Sequence, residues 1–101
     1  MPLTKVCAID AVSTGELRQF NVDDAEILVV NLDGQLLCLA ARCTHAGAPL
    51  VEGDLLHDVL TCPWHGSKFR VTDGSVIRGP AEKALRTYEC QLQAGYLFVR
   101  L

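Results

Sequence analysis

The sequence predicts an all-β domain, a small antiparallel β-sandwich or barrel-like fold with one long irregular segment. Short runs of β-branched and leucine residues alternate with turn residues throughout the chain. Asp-Gly or Ala-Gly dipeptides lie at 33–34, 73–74 and 94–95, and no segment shows the 3.6-residue periodicity of a long helix. At 101 residues the chain has the length of one domain, so residues 1–101 are expected to fold together.

The strands are expected in a fixed order along the chain. The first two lie in TKVCAI and ELRQF, with turn residues between them. Three hairpins follow, in EILVVNLDGQLLCLAA, SKFRVTDGSVIRG and RTYECQLQAGYLFVRL, each with one of the three dipeptides at its turn. Such dipeptides suit tight hairpins because the turn residues take positive φ. The segment PAEKAL is long enough for one helical turn at most.

Residues 42–66 form the irregular segment, and a long loop in a small domain usually has a function. The segment contains Cys43-x-His45 near its start and Cys62-x-x-His65 at its end. A glycine follows each pair, and a proline lies close to each. Glycine lets backbone N–H groups approach a sulfur-rich centre, while proline stiffens the loop. The pattern predicts a site with two thiolate and two imidazole ligands.

At these residues the sequence resembles the Rieske [2Fe–2S] proteins. CTHAGAPL and CPWHGSKF look like the two cluster-binding loops of that family, and Gly79-Pro80 looks like its covering proline loop. The resemblance extends over nearly the whole chain. It implies the Rieske fold, with a basal β-domain and a cluster-binding subdomain at about residues 42–82.

The same resemblance implies one [2Fe–2S] cluster, with Cys43 and Cys62 on one iron and His45 and His65 on the other. Two cysteinates neutralise a core of two ferric ions and two sulfides, whereas four leave it dianionic. Neutral imidazoles therefore make reduction easier, and Rieske potentials lie at about −150 to +300 mV rather than near −400 mV. Because a bound imidazole keeps a titratable outer nitrogen, reduction is expected to couple to protonation.

A structural zinc site is the alternative for the same four ligand types. Common zinc modules pair cysteine with cysteine in their first knuckle, and the alternation of Cys-x-His with Cys-Pro-x-His-Gly differs from that pattern. The sequence therefore favours the iron–sulfur site over a zinc-stabilised binding module.

Four residues indicate which kind of Rieske protein the chain resembles. Ala48 and Trp64 stand where quinol-oxidising Rieske proteins carry the cysteines of an extra disulfide, so the chain resembles the soluble, lower-potential ferredoxins. Ser67 occupies the family position whose hydroxyl can bond a cluster sulfur, and Phe69 replaces the tyrosine that would supply a second such bond. A low to intermediate potential is expected, since sulfur hydrogen bonds stabilise the added electron.

The resemblance implies an electron carrier rather than an enzyme. The chain is expected to pass single electrons from a flavin-dependent NAD(P)H reductase to a terminal oxygenase, as in ring-hydroxylating dioxygenase systems, by transient docking of a monomer. After His45 and His65, the only other histidine in the sequence is His57, and a non-haem oxygenase iron needs two histidines and a carboxylate. The sequence also contains no Gly-x-Gly, so the usual dinucleotide-binding motif is absent. The alternative is a small Rieske subunit fixed in a larger oxidoreductase, such as a nitrite-reductase-like assembly.

Composition excludes several other classes. A formal charge of −3 without a basic cluster disfavours nucleic acid as a partner. No apolar run approaches the ~20 residues needed to span a bilayer, and the amino terminus lacks a secretory pattern. An odd count of five cysteines disfavours a disulfide framework. A cytoplasmic location without membrane contact is expected.

The remaining chemically active side chains have weaker signals. His57 is expected to be a solvated loop residue, and Trp64 to pack over the [2Fe–2S] cluster. Cys7, Cys38 and Cys90 lie in strand-like stretches and are expected to be buried apolar residues, with a reactive thiol as the less favoured alternative. A collar of small apolar residues is expected to form a flat docking surface around the histidines: Ala46, Ala48, Pro49, Leu50, Pro63 and Pro80.

Overall fold

The computed structural model describes residues 2–101, and within that range it contains eleven β-strands and two short 3₁₀ turns, at Ile9–Ala11 and Leu50–Glu52. The expected all-β fold is confirmed. The strands are β1 (Leu3–Ala8), β2 (Leu17–Val22), β3 (Ala25–Leu32), β4 (Gln35–Ala40), β5 (Asp54–Leu56), β6 (Val59–Thr61), β7 (Lys68–Arg70), β8 (Val76–Arg78), β9 (Thr87–Tyr88), β10 (Cys90–Gln93) and β11 (Tyr96–Arg100).

The strands form three antiparallel sheets. Their orders are β1-β11-β10, β2-β3-β4-β9 and β5-β6-β7-β8. The first sheet pairs the two ends of the chain, and the third sheet is built from the segment between the two Cys/His pairs and the residues that follow it. No helix of residues 2–101 has the length and apolar character required to cross a bilayer.

Strand β3 lies between two hydrophobic cores, which explains the unbroken apolar run ILVV. Successive side chains of a strand point to opposite faces of its sheet. Ile27 and Val29 pack in one core with strand β11, and Leu28 and Val30 pack in the other with the two Cys/His loops and the third sheet. All four side chains are fully buried. The β2-β3-β4-β9 sheet is therefore the central layer that supports the loops.

Two of the three predicted tight hairpins are confirmed. Asp33 and Gly34 have φ values of 53° and 94° between β3 and β4, and Ala94 and Gly95 have values of 51° and 84° between β10 and β11. Both residues of each turn are left-handed, which matches the twist of the flanking strands.

The prediction of a tight hairpin at Asp73-Gly74 is wrong. Residues 71–75 form a wider connection between β7 and β8, in which Gly74 has a φ of 77° and donates its N–H to the Arg70 carbonyl at 2.7 Å. The Asp73 carboxylate accepts hydrogen bonds from the backbone N–H and the hydroxyl of Ser75 at 2.9 and 2.7 Å. This local side-chain bonding stabilises the wider loop.

The prediction that residues 42–66 are irregular throughout is also wrong. Strands β5 and β6 form a hairpin inside this segment, joined by a two-residue turn at His57 and Asp58. His57 has a φ of 56°, so a histidine takes the left-handed position that a sequence pattern would assign to glycine or asparagine. Three-residue strands with such a turn carry little sequence signal.

Replacing Gly74 with alanine is expected to destabilise the fold by about 2 kcal/mol or more. The residue is left-handed, and an added Cβ would collide with the Leu85 carbonyl oxygen. Gly34→Ala is the matched control, because that glycine is also left-handed but has open space around its Cβ position; its cost is expected to be about 1 kcal/mol. Urea denaturation measures both variants, and equal losses would refute the role given to the Leu85 contact.

Candidate metal centre

The two Cys/His loops have the same backbone design. The Cys43 N–H donates to the Ala48 carbonyl at 2.9 Å, and the Cys62 N–H donates to the Ser67 carbonyl at 2.8 Å. Each bond closes a loop from a cysteine to the residue five positions later. The glycine at the fourth position after each cysteine has a positive φ, 73° in the first loop and 76° in the second. The glycines noted in the sequence are therefore required by the turn that returns each loop to the core.

The two site cysteines lie at the bottom of the loops. Cys43 and Cys62 are each 3% exposed, and their thiols lie beside each other. Burial raises the pKa of the Cys43 thiol, whereas backbone N–H groups of His45 and Ala46, which point at its sulfur, act to lower it. These N–H groups are placed to stabilise a thiolate, which is the form that binds a metal.

The two site histidines lie at the surface. The imidazoles of His45 and His65 are exposed, their ring centroids are 5.2 Å apart, and the rings meet edge to face at 83°. The structure therefore places the four predicted side chains as two pairs, a buried thiol pair and an exposed imidazole pair.

This arrangement fits a two-iron group better than a single ion. In the part of the chain that the structure describes, no three His, Cys, Asp or Glu side chains are grouped so that they could hold one metal ion. Tetrahedral zinc needs all four ligands around one point, while a [2Fe–2S] cluster takes a pair of ligands at each end. One buried thiol pair and one exposed imidazole pair suit the second case.

The first loop is fixed to the central sheet by an ion pair that the sequence analysis missed. Arg42 pairs with both carboxylate oxygens of Glu26 in β3, at 3.1 and 3.0 Å, and donates to the Gly47 carbonyl at 3.2 Å. The hydrogen bond from Arg42 holds the pKa of the Glu26 carboxyl below its usual range. The two residues are sixteen positions apart, so only the hairpin register brings them together.

The segment after β8 closes over both loops. Gly79 and Pro80 are exposed, and the Ala81 N–H donates to the buried Ser67 hydroxyl oxygen at 3.0 Å. The Thr44 hydroxyl donates to the Lys83 carbonyl at 2.6 Å. The predicted covering segment is thus bonded to the second loop through Ser67 and to the first through Thr44.

Replacing Ser67 with alanine is expected to lower the reduction potential by tens of millivolts. The Ser67 oxygen accepts the Ala81 N–H, so its proton is available to donate to a cluster sulfur, as the family resemblance implies, and such a bond would stabilise an added electron. Ser75→Ala is the control, since that hydroxyl donates to Asp73 in the β7–β8 connection. Anaerobic redox titration measures the shift, and an unchanged potential in Ser67→Ala would show that the hydroxyl does not act on the cluster.

The predicted apolar collar is only partly correct. Ala48 and Leu50 are fully buried in the core beneath the loops, because the first loop turns inward after Gly47. Trp64 is 56% exposed, so more than half of its surface faces solvent. The exposed surface beside the histidines is formed by Ala46, Pro63, Trp64 and Pro80.

His57 lies in the β5–β6 turn and is exposed, as expected for a solvated loop residue. Of the three further cysteines, Cys38 is buried, and Cys7 and Cys90 are half-buried against the same core. The expectation of full burial holds for Cys38 alone.

The Rieske [2Fe–2S] domain family matches residues 3–89, and the chain belongs to that family. Its cofactor is therefore a [2Fe–2S] cluster.

Curated relatives include the ferredoxin component of biphenyl 2,3-dioxygenase from Rhodococcus jostii (strain RHA1), which is 36% identical over 100% of this chain and 94% of its own length. Other relatives are much longer. The chain covers 46% of the cytochrome b6-f complex iron-sulfur subunit of Chlorobaculum tepidum, at 39% identity over 87% of this chain. It covers 16% of human Apoptosis-inducing factor 3, at 30% identity over 94% of this chain. The same domain thus occurs alone and within larger proteins.

Solved structures share the fold. A chain in the complex of reduced oxygenase and oxidized ferredoxin of carbazole 1,9a-dioxygenase has a TM-score of 0.88 and 34% identity, covering 95% of this chain and 99% of that one. The Sphingomonas yanoikuyae B1 ferredoxin has a TM-score of 0.93 at 24% identity, covering 99% of both chains. The second similarity concerns the fold alone.

Proposed function

We propose that this protein is a one-electron carrier in which Cys43 and Cys62 bind one iron of the cluster and His45 and His65 bind the other. Residues 42–82 form the cluster-binding subdomain in this proposal. The observation that carries it is the arrangement of a buried thiol pair beneath an exposed imidazole pair. When bound, the [2Fe–2S] cluster accepts and releases one electron at a time.

The exposed imidazoles give the electron a short path to a partner. Their neighbours at the surface are small or apolar, Ala46, Pro63 and Pro80, and a depression beside His45 is lined by Thr44, Pro80, Glu82 and Lys83. A partner can approach such a surface without desolvating a dense set of charges. Small interfaces of this kind are typical of transient electron-transfer complexes.

The partners in this proposal are a flavin-dependent NAD(P)H reductase as donor and a terminal oxygenase as acceptor. Support for the acceptor comes from relatives named as ferredoxin components of biphenyl dioxygenase and from the similar chain solved with the oxygenase of carbazole 1,9a-dioxygenase. In this proposal the protein is a cytoplasmic monomer that docks transiently with its partners and performs no catalysis itself.

The test begins with anaerobic reduction by dithionite, where uptake of one electron per chain is expected. The reduced protein is then mixed with the oxidised oxygenase component of the Rhodococcus jostii biphenyl 2,3-dioxygenase, and its reoxidation is followed by visible absorbance. Reoxidation is expected, and gel filtration of the isolated chain should show a monomer. A stable oligomer that the oxygenase does not reoxidise would instead support a subunit fixed in a larger oxidoreductase.

Replacing Ala46 with aspartate is expected to slow this reoxidation about tenfold, because docking would bury an unpaired carboxylate beside the histidines. Leu92→Asp is the control: Leu92 is 53% exposed but lies in β10, outside the two Cys/His loops. Stopped-flow absorbance measures both rates. Equal rates for the two variants would place the docking surface elsewhere on the molecule.

A further inference from the structure

Two cysteines outside the metal centre face the core from either side of strand β11. Cys7 in β1 is paired with Leu97, and Cys90 in β10 is paired with Val99. Directly paired residues of an antiparallel sheet point to the same face. Leu97 and Val99 are both fully buried, so the two cysteines point toward the core between the first and second sheets.

A third cysteine meets them from the opposite sheet. Cys38 in β4 is 3% exposed and packs in the same core, where its thiol lies beside that of Cys90. When protonated, the Cys90 thiol also donates to the Leu36 carbonyl of β4 at 3.6 Å. Cys90 is only half-buried, so small reagents can reach one member of the pair from solvent.

We propose that Cys38 and Cys90 are a redox-reactive thiol pair that hydrogen peroxide converts to a disulfide linking β4 to β10. The Cys90 thiolate attacks one peroxide oxygen, the O–O bond breaks, and Cys90 becomes a sulfenic acid while the leaving hydroxide takes a proton to form water. The Cys38 sulfur then attacks the Cys90 sulfur, and its proton and the departing hydroxide form a second water. The two thiols lose two electrons and two protons, and the peroxide gains them.

The surroundings of the two sulfurs explain why Cys90 reacts with peroxide first and Cys38 reacts second. The hydrogen bond from the Cys38 thiol lowers the pKa of Cys90 to about 7, against the effect of burial. The interaction with Cys90 and deep burial raise the pKa of Cys38, so Cys38 keeps its proton and acts second. Burial also raises the pKa of Cys7, which makes Cys7 the natural internal control.

The bridge would close a covalent loop over residues 38–90, which contains all four residues assigned to the metal centre. Oxidation is therefore expected to raise the midpoint of thermal unfolding by about 5 °C or more, and dithiothreitol is expected to reverse the change. The proposal does not depend on the identity of the electron-transfer partners.

The test treats the cluster-containing protein with hydrogen peroxide, alkylates the remaining thiols, and maps bridged peptides by mass spectrometry. The wild type and Cys7→Ser are expected to lose the mass of two hydrogens and give a Cys38–Cys90 peptide. Cys38→Ser is expected to leave a sulfenic acid on Cys90 that dimedone traps, and Cys90→Ser to form no bridge.

Three results would overturn the proposal. They are a wild-type bridge that contains Cys7, wild-type bridges confined to the Cys43 and Cys62 peptides, and a wild-type protein in which peroxide modifies Cys90 no faster than Cys7. Because the wild type alone decides each of these results, the test does not depend on the folding of a variant.

Discussion

Replacing Cys62 with serine is expected to abolish binding of the [2Fe–2S] cluster. Cys62 is 3% exposed and lies beside Cys43, so its thiol is the one that the second loop places next to the first thiol. A serine hydroxyl does not ionise near neutral pH and is a poor ligand for iron in a sulfur-rich site. Iron and acid-labile sulfide analysis and the visible spectrum of the purified variant measure the loss.

The same variant is expected to unfold more easily, because metal binding contributes to folding free energy when the site forms only in the folded state. Cys7→Ser is the control, since Cys7 lies in the opposite core and is expected to leave iron content unchanged. A Cys62→Ser protein with full iron and sulfide content would refute the ligand assignment.

Replacing His65 with cysteine is expected to lower the reduction potential by on the order of 100 mV, provided that the cluster assembles. The change exchanges a neutral ligand for an anionic one, which disfavours the added electron. His57→Cys is the matched control, because His57 is exposed in the β5–β6 turn. Redox titration measures both variants, and iron analysis shows assembly. A higher potential in an assembled His65→Cys protein would contradict the charge argument.

The sequence predicted those parts of the fold that depend on local chemistry. The turns at Asp33-Gly34 and Ala94-Gly95 follow from residues that accept positive φ, and the hairpin predicted in EILVVNLDGQLLCLAA corresponds to β3 and β4. The turn at Asp73-Gly74 was mispredicted because the Asp73 carboxylate bonds to Ser75 and stabilises a wider loop. The β5–β6 hairpin was missed because His57 has no strong preference for its left-handed conformation.

The candidate site, like the fold, could be predicted from the sequence only in part. Its four side chains could be named from short motifs, because both cysteines and both histidines lie within two loops of the same design. The groups that hold these loops in place could not be identified from the sequence. Glu26 contacts Arg42, and Ser67 contacts Ala81, only after distant segments pack together. Burial of Ala48 and Leu50 likewise depends on the direction of the loop in the assembled core.

The most direct test of mixed cysteine and histidine ligation is an anaerobic redox titration of the purified protein, followed by visible absorbance. We expect a reversible one-electron transition in the lower part of the range from about −150 to +300 mV. A transition near −400 mV, the region of plant-type ferredoxins with four cysteine ligands, would contradict the assignment of two histidines. A colourless protein that contains zinc and shows no redox transition would contradict the iron–sulfur site altogether.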